Sequence, residues 1–178
     1  MQRIFITGNA GTGKTTLSKQ ISELLGIKAY GLDKIVWLPG WQMTSTVDKA
    51  TKIAEITKQK TWIIDGVSES ALKAADTIIF LDFPRRISYI RVIQRNWRYL
   101  FKSRPELPKN CPEILIVHHL FKIIWNFPVY VRPSILKHLR DNNEIKNIFH
   151  IRSKHNLNDF IALLTNEIQN NITTLVKT

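Results

Sequence analysis

Residues 8–15 read Gly8-Asn9-Ala10-Gly11-Thr12-Gly13-Lys14-Thr15, the G-x-x-x-x-G-K-[ST] spacing of a phosphate-binding loop. The flanks agree with that reading. Arg3-Ile4-Phe5-Ile6-Thr7 before it is β-branched and apolar, as a buried strand should be, and the segment after it places Leu17, Ile21, Leu24 and Leu25 at helical spacing. Glycines let the backbone curl so that several N–H groups converge on a phosphate, and a helix N-terminus adds the positive end of its dipole. The candidate nucleotide-binding set is therefore Gly8, Asn9, Ala10, Gly11, Thr12, Gly13, Lys14, Thr15 and Thr16. Lys14 is expected on the β and γ phosphates, and the Thr15 hydroxyl on Mg²⁺.

Strand and helix signals alternate along the rest of the chain, which predicts a parallel sheet covered by helices. Strands are expected at about 2–7, 27–32, 61–66, 76–82 and 147–151. Helices are expected at about 14–25 (closed by Gly26), from a Ser45 or Thr46 cap to 59, from Pro84 to about 101, at about 112–126, and at 157–170, capped by Asn156 or Asn158. Pro105, Pro108 and Pro112 bound a mobile loop, and Pro128 and Pro133 kink or interrupt the chain beyond residue 126. A length of 178 residues suits one domain spanning 1–178, with a basic, lid-like segment at about 96–112.

Four further side chains fit chemistry at this loop. Asp65 ends an apolar strand before Gly66, where a carboxylate can support Mg²⁺ with hard oxygen ligands. Asp33 is expected at the end of the second strand, where open parallel sheets place their binding crevice, as base or orienting group for an acceptor. Arg91 and Arg95 lie one helical turn apart and would face a transferring phosphoryl group together. Arg98 and Arg104 lead into the proline-bounded loop, which would close over a nucleotide. Trp37 and Trp41 flank Pro39-Gly40 and are candidates for lining an acceptor pocket. The five histidines show no metal-ligand pattern and read as structural or surface residues.

A net charge of +12 favours anionic partners: nucleotides, an acidic surface or nucleic acid. The charge is concentrated, with eight Arg or Lys against Glu106 alone between Phe83 and Asn110. No zinc-finger, helix-turn-helix or RNA-binding signature accompanies it. No run of apolar residues is long enough to span a membrane. The single Cys111 cannot form an internal disulfide, which fits a reducing, cytoplasmic setting.

Taken together, the loop, Leu32-Asp33 with Trp37 and Pro39-Gly40-Trp41, Trp62-Ile63-Ile64-Asp65-Gly66, and Ala75 through Arg85 resemble the bacterial DNA topology modulation protein family. The resemblance covers roughly residues 1–140 and implies a three-layer α/β/α P-loop NTPase fold, adenylate-kinase-like, with a five-stranded parallel sheet and a lid insertion. More widely, Leu81-Asp82-Phe83-Pro84 with Arg91 and Arg95 looks like the segment by which adenylate kinases present two phosphate-binding arginines. Asp65-Gly66 looks like the start of their Asp-Gly-Phe-Pro-Arg motif, but continues here as Val67-Ser68-Glu69. The expectation is an ATP- and Mg²⁺-dependent phosphotransferase of unidentified small-molecule or nucleotide acceptor. The alternative is a nucleic-acid-associated ATPase or regulator affecting DNA topology.

Overall fold

The computed structural model describes the backbone of residues 1–99 and 117–176, and the side chains of residues 1–95 and 117–170. The basic segment at 96–112 and the loop bounded by Pro105, Pro108 and Pro112, with Arg98, Arg104 and Cys111, fall outside the described side chains. The sheet is built on β1 (Arg3–Gly8), whose residues Ile4 to Ile6 are almost wholly buried. It pairs in parallel with β5 (Trp62–Asp65) on one side and β6 (Thr77–Leu81) on the other. Outside these lie β2 (Ala29–Gly31) and β7 (Asn147–Ile151), giving the order β2-β5-β1-β6-β7, all parallel.

Strand alternation sorts the apolar residues into two cores, one per face. Ile4, Ile6, Ile63, Ile79 and Leu81 pack under α1 (Lys14–Leu25) and α8 (Lys154–Val176), through Leu17, Ile21, Phe160 and Leu164. Phe5, Ile64, Ile78 and Phe80 pack under α3 (Thr46–Thr57), α4 (Glu69–Ala74), α6 (Val117–Tyr130) and α7 (Arg132–Asp141). Each fully buried side chain of this size contributes roughly 1.5–3 kcal/mol. Three layers result, as expected.

Several boundaries differ from the expectations. β2 ends at Gly31, and Asp33 sits in the first turn of a short helix, α2 (Leu32–Val36), because Leu32 turns inward to the core. The next segment is a small antiparallel hairpin of β3 (Trp37–Leu38) and β4 (Gln42–Met43). In its turn Trp41 has φ 59°, and among the described residues it is the one non-glycine residue with positive φ. A bulky residue there costs about 1–3 kcal/mol. Ser45 caps α3, accepting from the Asp48 N–H at 3.0 Å. α8 starts before the expected position: Ser153, not Asn156 or Asn158, caps it, accepting from the Asn156 N–H at 3.1 Å. The expected helix from Pro84 is α5 (Arg85–Tyr99) within the described residues.

Pro128 does not end α6 but lies inside it, and α7 comes next with Pro133 in its first turn. A proline within a helix removes the N–H that the carbonyl four residues earlier would accept. That carbonyl belongs to Ile124, and Asn9 of the glycine loop donates to it through Nδ2 at 3.0 Å. The Asn9 Oδ1 accepts from the Ala10 N–H at 2.8 Å, and the Asn9 carbonyl accepts from Thr12 Oγ1 at 2.9 Å. Nearby, Asp82 lies just past β6 and makes a two-pronged ion pair with Arg132, both contacts 2.8 Å, and a 2.8 Å contact with His150 Nε2. Burial alone would push the Asp82 carboxyl up, but the bonds from Arg132 and His150 outweigh it and hold it below the ordinary range.

Replacing Asn9 by Ala leaves the Ile124 carbonyl buried without its donor and is expected to cost about 1–3 kcal/mol. Pro128→Ala supplies a backbone N–H at the same carbonyl. In that background Asn9→Ala should cost clearly less, and denaturant unfolding of the four proteins in a double-mutant cycle measures the difference.

Candidate functional site

The carboxyl ends of β1 and β5 open into a cavity of about 490 Å³. Gly8, Ala10, Gly11, Gly13, Lys14, Thr15 and Thr16 form its floor, while Asn9 and Thr12 turn away into buried contacts that hold the loop's shape. The curl of the loop depends on a close approach at its start. Gly8 has φ 150° beside Leu81, and a Cβ there would lie 2.5 Å from the Leu81 carbonyl oxygen. Lys14 lies across the loop, Nζ donating to the Gly8 carbonyl at 3.1 Å and the Asn9 carbonyl at 2.8 Å. The N-terminus of α1 therefore faces the cavity with its N–H groups and dipole, the arrangement that attracts anions.

Asp65 is brought to the loop by the pairing of β1 with β5, which sets Ile6 beside it. It is only 6% exposed, and its Oδ1 accepts from Thr15 Oγ1 at 3.2 Å. Burial pushes its carboxyl up; Asp33 adds repulsion in the same direction, and Lys14 and the Thr15 bond oppose them only in part. A buried carboxylate raised by burial and by a second carboxylate, with a hydroxyl in contact, is a donor set that would suit a hard divalent cation. Among the described residues no group of three or more His, Cys, Asp or Glu side chains gathers as a metal cage.

Asp33 is exposed to the cavity from α2, a different setting from the strand end expected, yet close enough to Asp65 to act on its charge. The two are linked mechanically. Gly66, at φ 144°, leaves room for Leu32: a Cβ on Gly66 would lie 2.7 Å from the Leu32 Cβ. Arg91 and Arg95 line the cavity from α5, as their spacing predicts. Arg91 donates from Nη1 to the Thr12 carbonyl at 2.8 Å, and its guanidinium rests 5.0 Å from the centre of the Phe83 ring.

Trp37 and Trp41 line the same cavity. So do His119, Leu120, Ile123 and Phe127 of α6, which the sequence alone does not single out. Their apolar spacing reads equally as core packing, and the His118-His119 pair forms no metal-ligand pattern with cysteine or paired acids, so no local signal separates them. His150, read as structural, does hold Asp82.

No family model matches the chain, and neither does any curated protein. Among solved structures it is similar to shikimate kinase from Aquifex aeolicus vf5, with 17% identity, 96% of this chain and 98% of that one covered, and a TM-score of 0.52. It is also similar to a gluconokinase from Sinorhizobium meliloti 1021, with 13% identity, coverage of 98% and 95%, and a TM-score of 0.50. The chain thus shares the α/β fold of these two structures, a five-stranded parallel sheet covered by helices. Among the described residues no helix is long and apolar enough to cross a membrane.

The raised Asp65 carboxyl has a consequence for stability. Above the ordinary aspartate value of 3.8 the unfolded chain loses this proton more readily than the folded one, so Asp65 lowers stability as pH rises through that window. Asp65→Asn, which keeps an oxygen for Thr15, is expected to melt higher than the parent at pH 7 without nucleotide, with the gap closing toward pH 3. Thermal melts across pH, with and without Mg-nucleotide, read both this and the expected loss of Mg-dependent stabilisation in the variant.

Proposed function

We propose that the protein is an ATP- and Mg²⁺-dependent phosphotransferase acting on a small acceptor. The observation that carries the reading is the convergence on one cavity of the glycine loop with Lys14, the Thr15–Asp65 pair, Arg91 and Arg95, and a second carboxylate, Asp33. Gly8 to Thr16 cradle the triphosphate, and Lys14 exchanges its loop carbonyls for β and γ oxygens. Thr15 and Asp65 would hold Mg²⁺, which would supply charge neutralisation on the triphosphate. Arg91 and Arg95 face the γ phosphoryl group and neutralise the charge that spreads over it as it transfers. Asp33 orients the acceptor hydroxyl and takes its proton. The resemblance to the DNA topology modulation protein family supports the same fold and names no reaction. A cytoplasmic setting agrees with the use of ATP.

The test is ADP formation from MgATP against a panel of nucleosides, nucleotides, small hydroxyl compounds and short DNA duplexes. Stimulation by one small acceptor, insensitive to salt, supports the phosphotransferase. Stimulation by DNA alone, falling steeply with salt, would replace it with a nucleic-acid-dependent ATPase, the partner that the +12 charge admits. Lys14→Met is expected to lower turnover by about 10²–10³-fold. Asp33→Asn should lower turnover while leaving MgATP affinity near the parent value, as equilibrium binding of a fluorescent ATP analogue would show.

A further inference from the structure

We propose that the acceptor is an alcohol carried on a flat ring, the chemistry of a nucleoside, and that Trp37 and Trp41 form one wall of the slot for that ring; the proposal rests on the phosphotransferase reading above. The two indoles meet edge to face, with centroids 5.2 Å apart and planes at 84°. They stand on the β3–β4 hairpin that succeeds α2, so they sit just beyond Asp33 in the chain and line the cavity with it. A second apolar part of the cavity lining comes from a different element. The hairpin comes after β2, at one edge of the sheet, whereas α6 is held over the glycine loop at β1 through the Asn9–Ile124 bond. From α6 come Ile123, 39% exposed, and Phe127.

The wall chemistry selects the ring. Trp37, Trp41, Ile123 and Phe127 offer apolar area and few hydrogen-bond partners, so a polyol would meet them only through its C–H faces and leave its hydroxyls to the polar residues elsewhere in the cavity. A planar ring loses little by the same contact and gains stacking on an indole face. One hydroxyl then remains to meet Asp33. In the transfer step, the acceptor oxygen bonds to the γ phosphorus while that phosphorus parts from the β–γ bridging oxygen. The hydroxyl proton passes to Asp33, and ADP leaves.

The backbone at Trp41 is a second, independent pointer. Gly40 and Trp41 both take left-handed φ, 73° and 59°. A hairpin turn asks only for glycine or asparagine at such a position, and an indole there is held against its own preference. The strained turn brings the Trp41 ring back onto Trp37 at the cavity rim. Strain of this kind gathers where a side chain has a task that the fold itself does not require.

The experiment uses the full chain saturated with Mg²⁺ and a non-hydrolysable ATP analogue. Ligand-observed NMR then compares four nucleosides with myo-inositol and gluconate, and MgATP turnover is measured with the same compounds. Nucleosides are expected to bind and to be phosphorylated in preference. Trp41→Gly, which relieves the turn and removes the ring, should raise KM for the nucleoside about tenfold with MgATP affinity retained, and Trp41→Phe should recover most of the loss. Equal or better use of the polyols, an unchanged KM in Trp41→Gly, or no nucleoside binding by protein that still binds the ATP analogue would each overturn the slot and leave the phosphotransferase standing. Failure of the ATP analogue itself to bind would overturn the phosphotransferase reading, and the slot with it.

Discussion

One backbone carbonyl ties the glycine loop to the helix that lines the cavity beside it. Pro128 deprives the Ile124 oxygen of its helical partner, and Asn9 takes that place from the middle of the glycine loop. Through that bond the loop is registered against α6, and α6 in turn carries His119, Leu120, Ile123 and Phe127 to the cavity wall. A neutral bond of this type is worth about 1 kcal/mol net, but an unmet carbonyl in a dry interior costs more, so the pairing is strongly directed. Two residues that look like ordinary loop filler and an ordinary helix breaker thus register the glycine loop against α6.

Electrostatics supply the second constraint. Asp65 is almost fully enclosed and feels Asp33 as well as Lys14. Without a cation the site keeps one carboxylate against its preference, and Lys14 commits its ammonium to the loop's own carbonyls. In the proposed reading, a metal–phosphate group would satisfy both arrangements at once, bringing positive charge to the acid and negative charge to Lys14. The affinity of such a pocket for a charged guest is written in the discomfort of the pocket without one.

Much of this was legible in the sequence, for local reasons. β1, α1 and β7 carry unbroken periodic patterns between clear stops, and the glycine loop names its own chemistry. Arg91 and Arg95 share a cavity because residues four apart on a helix share a face. What escaped was decided by tertiary contact. Asp33 sits in a helix rather than at a strand end because Leu32 is drawn into the core beside Gly66, which neither residue announces alone. The helix through Pro128 survives because a side chain more than a hundred residues earlier repairs it. The α6 wall is invisible in sequence because apolar residues facing a cavity and apolar residues facing a core obey the same period.

The contact of Leu32 with the bare backbone of Gly66 also couples the two carboxylates of the cavity. Asp33 is the neighbour of Leu32, and Asp65 is the neighbour of Gly66, so each carboxylate rides on one half of a tightly meshed pair. Strand β5 cannot slide without pushing α2, and α2 cannot tilt without pressing on the strand. The two carboxylates are therefore geared together: a displacement of a few tenths of an ångström at either is transmitted to the other through the Leu32–Gly66 contact.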